Sequence, residues 1–182
     1  TGPGLGRSHS VTAAVTGLLG AVDLPVVVDA DGLNALASLE STDALREVLA
    51  ARTGATVLTP HEGEYARRIG SPPGDDRLAA VREAAAGCGA VVLLKGPTTI
   101  VAAPDGRAYF VTSGSARLAT AGTGDVLSGM IGALLARGVP ALEAAALGAH
   151  VHGRAAQAGR AVGLVAGDLP DLVADWLSAV SH

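Results

Sequence analysis

Residues 25 to 34 read Pro-Val-Val-Val-Asp-Ala-Asp-Gly-Leu-Asn, and this stretch decides the fold class. Val26 to Val28 form a short, continuous run of β-branched residues, the pattern of a strand covered on both faces in a parallel sheet. The run stops at a polar cluster, Asp29, Asp31 and Asn34 around Gly32, and a helical pattern follows from near Leu33 to Leu39. A buried strand feeding through a polar turn into a helix is half of a βαβ unit.

The same grammar recurs along the chain. Val57-Leu58-Thr59-Pro60 leads into His61-Glu62-Gly63-Glu64 and a helix to Ile69, and Val91 to Leu94 leads into Lys95-Gly96-Pro97-Thr98-Thr99. Helices are also expected over Val11 to Val22, with Ser8 or Ser10 as cap, and over Thr42 to Arg52 and Asp76 to Ala86. Thr98 to Ala103 and Arg107 to Val111, joined by Pro104-Asp105-Gly106, read as a hairpin. One long helix starts at Gly124, one or two more run from Leu142 to Arg160, and a last one runs from Leu169 to Val180. The expectation is an α/β fold, with helices on both faces of a mostly parallel sheet. Ligands of such sheets bind beyond the carboxyl ends of the strands, where these polar clusters fall.

Composition narrows the classes. The chain has 182 residues, enough for one domain with a real core, and is 49% hydrophobic. With one Trp, two Tyr and one Phe, that core must be built from Ala, Val, Leu and Ile, which suits close packing of helices on a sheet. A net charge of −4 without a basic stripe argues against a nucleic-acid partner. The lone Cys88 rules out an internal disulfide. Its neighbours Ala86, Gly87, Gly89 and Ala90 offer no cation, so it reads as a small buried residue rather than a nucleophile. No apolar run is long enough to span a membrane, and a cytoplasmic protein is expected. Trp176 shares an amphipathic stretch with Leu172, Val173, Leu177 and Val180 and reads as packing. His150 and His152 face different sides of a helix and read as structural.

Two features carry chemistry. In Ala121-Gly122-Thr123-Gly124-Asp125-Val126-Leu127-Ser128-Gly129 a loop becomes a helix, so free amides and the positive dipole end favour an anion, and glycine lets a phosphate come close. A carboxylate beside a phosphate is unfavourable unless it acts, for example by taking a proton from an attacking hydroxyl; Asp125 is placed for that. An ordinary capped helix also fits those residues. The second feature is the opening turn, Thr1-Gly2-Pro3-Gly4-Leu5-Gly6, which in α/β folds follows a buried strand; its lack here is read as a chain cut from a longer domain. Read alone, His61 and Glu64 equally suit a helix entry after Pro60, Lys95 a solvated charge, and Asp29 and Asp31 loop acids.

Together, the Gly-Pro-Gly-Leu-Gly turn, Asp-Ala-Asp-Gly-Leu-Asn, Thr-Pro-His-Glu-Gly-Glu, Lys-Gly-Pro-Thr-Thr and Ala-Gly-Thr-Gly-Asp-Val-Leu-Ser-Gly resemble, in order, the ADP- or ATP-dependent NAD(P)H-hydrate dehydratases. This is a ribokinase-like family that repairs hydrated nicotinamide cofactors. Gly-Thr-Gly-Asp is shared with vitamin and sugar kinases of that fold, whereas the Asp-Ala-Asp-Gly-Leu-Asn and Pro-His-Glu-Gly-Glu pair is far more specific. The resemblance implies a three-layer ribokinase-like fold missing its first strands, with residues 1–182 the carboxyl-terminal portion of one dehydratase domain. It implies Asp125 as the catalytic carboxylate, and Gly4, Gly6, Asn34, His61, Glu64 and Asp125 on the substrate side. Lys95, Gly96, Pro97, Thr98, Thr99, Gly122, Thr123 and Gly124 would meet the adenine nucleotide, beside the segment Ser115 to Ala121.

Asp29 and Asp31 would lie near the phosphates and an indirectly held Mg2+. The implied reaction is dehydration of the S epimer of hydrated NAD(P)H, with ADP or ATP as phosphoryl donor. ADP is expected, because bacterial members use it and the Ala-, Gly-, Val- and Arg-rich composition looks bacterial. A homo-oligomer is expected, a tetramer among the options. The competing readings are a vitamin or pyrimidine kinase of the same fold and an inactive nucleotide-binding fragment.

Overall fold

Runs of Val and Leu bounded by breakers become strands, and a computed structural model, which describes residues 1–39 and 41–181, gathers five of them into one sheet. They are β1 (Val26–Val28), β2 (Thr56–Leu58), β3 (Val91–Leu94), β4 (Thr99–Ala102) and β5 (Ala108–Val111), lying side by side in chain order. β1, β2 and β3 are parallel; β4 pairs antiparallel to β3, and β5 antiparallel to β4. All strands except β4 therefore point the same way.

The helices are α1 (His9–Ala21), α2 (Ala30–Ala37), α3 (Thr42–Ala50), α4 (Glu62–Ile69), α5 (Arg77–Cys88), α6 (Thr123–Ala136), α7 (Ala141–Ala158) and α8 (Leu169–Val180). Short 3-10 turns occupy Ala116–Leu118 and Ala166–Asp168. Alternation along β3 divides the core in two. Val92 and Leu94 join Leu19, Leu36, Leu49, Val81 and Ala85 beneath α1, α2, α3 and α5. Val91 and Leu93 join Leu127, Ile131, Leu135, Leu142 and Ala145 beneath α6 and α7. Each such fully buried Val or Leu contributes about 1.5–3 kcal/mol of transfer free energy. The small-residue composition is used on α7: a Cβ on Gly153 would sit 2.6 Å from the Ser113 backbone, so that helix packs closer than any side chain allows. His150 meets Trp176 of α8 edge-on, ring centroids 6.1 Å apart, which gives Trp176 a packing role.

Two boundaries differ from the sequence reading. α1 starts earlier, capped by Ser8, whose hydroxyl accepts from the Val11 amide. α2 begins directly after β1 rather than near Leu33, because Asp29 caps it: its carboxylate accepts the Ala30 amide at 2.9 Å. Ala30 takes φ 47° there, a left-handed conformation costly for a residue with a Cβ. The free side of β1 carries one residue of extra ladder. The Thr1 amine donates to Val27 O at 2.6 Å, and Thr1 O accepts from the Asp29 amide at 3.1 Å. Among the described residues no helix is long and apolar enough to cross a membrane.

Candidate functional site

The carboxyl ends of β1, β2 and β3 are stitched to one another: the Thr59 amide donates to Val28 O at 3.1 Å and the Lys95 amide to Pro60 O at 2.8 Å. The turns that follow are thereby held together at one edge. There Asp29 (3% exposed) accepts the Lys95 ammonium at 2.8 Å on Oδ1 and the Ser128 hydroxyl at 3.0 Å on Oδ2. With the Ala30 amide also on Oδ1, this buried carboxylate is fully satisfied. Lys95 Nζ also faces Glu64 Oε2 at 3.8 Å, so the cation lies between two buried acids.

α6 brings its amino terminus to the same place from the other layer. A Cβ on Gly124 would stand 3.5 Å from Asp29 Oδ2 and 3.6 Å from Lys95 Nζ. Gly122 starts the helix at φ 87°, and a Cβ there would lie 3.0 Å from that of Ala166. The Thr123 hydroxyl is taken by Leu118 O (2.7 Å) and Thr120 O (2.9 Å), so this buried side chain ties the preceding loop. Among the described residues the Asp125 carboxylate makes no hydrogen bond or ion pair, and this side chain is exposed on the flank one turn before Ser128.

The expected substrate-side residues form two connected groups. His61 is the N-cap of α4: its Nδ1 accepts the Gly63 and Glu64 amides, and Glu64 Oε2 accepts the His61 amide at 2.9 Å. An accepting Nδ1 leaves the proton on Nε2, which faces Glu64 Oε1 at 3.6 Å. The capping reading holds, and Glu64, which closes the cap, also faces Lys95. The second group surrounds the opening turn, where Gly4 and Gly6 have φ 81° and 80°. The Gly6 amide donates to Asp31 Oδ2 at 2.9 Å, and Asn34 Nδ2 donates to Asp31 Oδ1 at 3.4 Å. The Gly6 bond above all holds the Asp31 carboxyl below its ordinary pKa. Arg67 donates to Asn34 Oδ1 at 2.6 Å and so joins this group to α4.

Ser128, Arg67 and Arg77, whose guanidinium donates to the Lys95 and Thr98 carbonyls, also lie at this edge and were missed by sequence reasoning. Ser128 had a signal, since it lies four residues after Gly124 and on the same helix face. His152 of α7 is 5% exposed, and its Nε2 meets no partner among the described residues. Burial pushes its pKa down to about 4, against a smaller opposing pull from the Thr123 backbone. A separate apolar cavity behind α4, about 170 Å³, shares only Pro60 and Glu64 with this edge. The Cys88 thiol on its wall is pushed up by burial, as suits an unreactive side chain.

A family model described as NAD(P)H-hydrate dehydratase matches residues 1–178. The chain belongs to that family. It is 54% identical over 155 residues to the bifunctional NAD(P)H-hydrate repair enzyme Nnr of Mycobacterium leprae, covering 85% of this chain and 31% of that protein. It is 48% identical over 185 residues to the ADP-dependent (S)-NAD(P)H-hydrate dehydratase of Neisseria meningitidis, covering 97% of this chain and 61% of that one. The ADP/ATP-dependent NAD(P)H-hydrate dehydratase of Bacillus subtilis, solved after co-crystallisation with ATP/Mg2+, superposes with a TM-score of 0.84 at 34% identity. That match covers 98% of this chain and 62% of the other. The fold is thus the ribokinase-like α/β arrangement of the dehydratases. The chain spans less than two thirds of the length of each of these three relatives.

Proposed function

We propose that this chain carries the dehydratase site of a domain that converts the S epimer of hydrated NAD(P)H back to NAD(P)H, consuming ADP and releasing AMP and phosphate. The observation that carries the reading is the meeting, at one edge, of an unpaired carboxylate, a glycine helix start and a lysine held by a buried acid. The greater length of the relatives supports residues 1–182 as a portion of one longer domain.

The chemistry fits these parts. In the hydrate a hydroxyl has been added to the carbon next to the ring nitrogen, and hydroxide leaves poorly. Asp125 takes the hydroxyl proton while the oxygen forms a bond to the terminal phosphorus of ADP, and the phosphorus–oxygen bond to AMP breaks. The ring nitrogen's lone pair then expels phosphate, and loss of a proton from the adjacent carbon restores the double bond. The amides of Gly122 and Gly124 and the Lys95 ammonium would face the charge that builds on the transferred group. Asp29 holds that ammonium in place. Lys95 to Thr99 would meet the nucleotide, and Gly4, Gly6, Asn34, His61 and Glu64 the hydrate. Thr123 serves by tying the helix start.

A directly ligated Mg2+ does not fit the residues present. Among the described residues no group of three or more His, Cys, Asp or Glu could hold a metal, and the oxygens of Asp29 and Asp31 are already engaged. Magnesium remains in the proposal only as a companion of the nucleotide's phosphates. A homo-oligomer also remains in it, supported by Tyr109 and Phe110 exposed on the outer strand.

The test offers the S hydrate of NADPH with ADP or ATP and follows the return of reduced-nicotinamide absorbance with AMP and phosphate release. A phosphorylated product that accumulates instead marks a kinase. Nucleotide binding without turnover marks a silent fragment.

A further inference from the structure

We infer that Arg77, at the start of α5, is a positioning residue that clamps the nucleotide-binding turn and sets it against α4. The inference rests on the reading of Lys95 to Thr99 as nucleotide contacts. The turn joining β3 to β4 is Gly96-Pro97-Thr98, in which Gly96 is unrestrained by a side chain and Pro97 has no amide to anchor it. Arg77 supplies the anchor. Nη1 donates to Thr98 O at 2.7 Å and Nη2 to Lys95 O at 3.3 Å, so one planar fork holds a carbonyl on each side of the turn. Nε faces Glu62 Oε1 at 3.4 Å, in the first turn of α4, next to the His61 cap. A Cβ on Gly96 would lie 2.4 Å from Arg77 Nη2, so the guanidinium occupies the space a side chain at residue 96 would need.

This arrangement gives glycine and arginine one shared job. The Lys95 backbone is fixed from two sides, by Pro60 O on its amide and by Arg77 on its carbonyl, and the ammonium is then delivered to Asp29 at 2.8 Å. A lysine at residue 77 cannot reproduce the fork, because its charge is a point on a flexible stem. The Glu62 arm is the weak one, since that carboxylate is 54% exposed.

The test is a cycle of Arg77→Ala, Gly96→Ala and the double variant in the 182-residue chain, with Arg77→Lys and Glu62→Gln beside it. ADP affinity is measured by calorimetry, ADP KM and kcat by hydrate turnover, and melting temperature as a check on folding. Arg77→Ala is expected to weaken ADP about tenfold through KM, from two lost charge-assisted bonds, with kcat within about threefold of the parent. Gly96→Ala has the same effect by displacing the guanidinium, and the double variant is no worse than Arg77→Ala alone. Arg77→Lys gives only partial rescue, and Glu62→Gln changes KM less than about twofold. Gly96→Ala keeps the arginine, so the test stands even where Arg77→Ala folds poorly. Additive effects of the two substitutions, or a folded Arg77→Ala chain with the parent's ADP affinity, overturn the clamp. The expected pattern in binding with no hydrate turnover in the parent leaves the clamp and overturns the dehydratase reading. Hydrate turnover with ADP affinity indifferent to residue 77 does the reverse, and a parent that binds no ADP overturns both.

Discussion

Two aspartates stand at the same edge of the sheet in opposite circumstances. Asp29, at the end of β1, is buried and accepts from Lys95, Ser128 and the Ala30 amide. Asp125, in the first turn of α6, is exposed and pairs with nothing among the described residues. A buried carboxylate already engaged by three donors positions other groups; one left open can accept a proton from a substrate. Under the proposed function the contrast gives structure to the first and chemistry to the second, and it can be broken by substitution.

Asp125→Asn is expected to give the largest effect, a fall in turnover of ~10²–10⁴-fold. Its melting temperature should stay near the parent's, because no contact is lost. Near-parental turnover in the purified variant removes the base from the mechanism. Asp29→Ala should show the converse weighting. It strands Lys95 beside Glu64 alone and frees Ser128, for a loss of about 3 kcal/mol in a urea melt. If that variant is as stable as the parent, the Asp29 cluster is not holding the edge together.

His152 sharpens the comparison through pH. It is buried neutral, with a pKa about 4 in the fold against 6.5 as the ordinary value. The unfolded chain therefore binds the extra proton first, and stability falls as pH drops from 6.5 towards 4. Integration gives about 3 kcal/mol across that window. Denaturant melts at several pH values should show the slope, and His152→Gln should flatten it. The smallest effect is at Gly122, where alanine must adopt φ 87° against the Ala166 methyl. That change should cost about 1–2 kcal/mol and weaken phosphate-bearing ligands, read by melting temperature with and without ADP.

The strands, the hairpin and most helix spans were legible because each rests on a local pattern, apolar runs of Val and Leu or apolar spacing on a helix. The start of α2 was not, because it depends on the Asp29 cap and on a strained Ala30 that propensity disfavours. The site was legible as clusters along the chain. What escaped were Arg67, Arg77 and Ser128, ordinary surface types whose meaning lies in partners 33, 21 and 99 residues away. His61 shows the limit from the other side, since a local cap and a place at the site are compatible in one residue.

The bond from Ser128 to Asp29 joins α6 to the sheet across the mouth, and the Lys95 pair fastens β3 to the same carboxylate. One buried carboxylate thus ties α6 and β3 to the end of β1. The glycine turn at Gly4 and Gly6 is moored separately, to Asp31, by an exposed hydrogen bond that keeps this carboxyl ionised further into acid than an ordinary one.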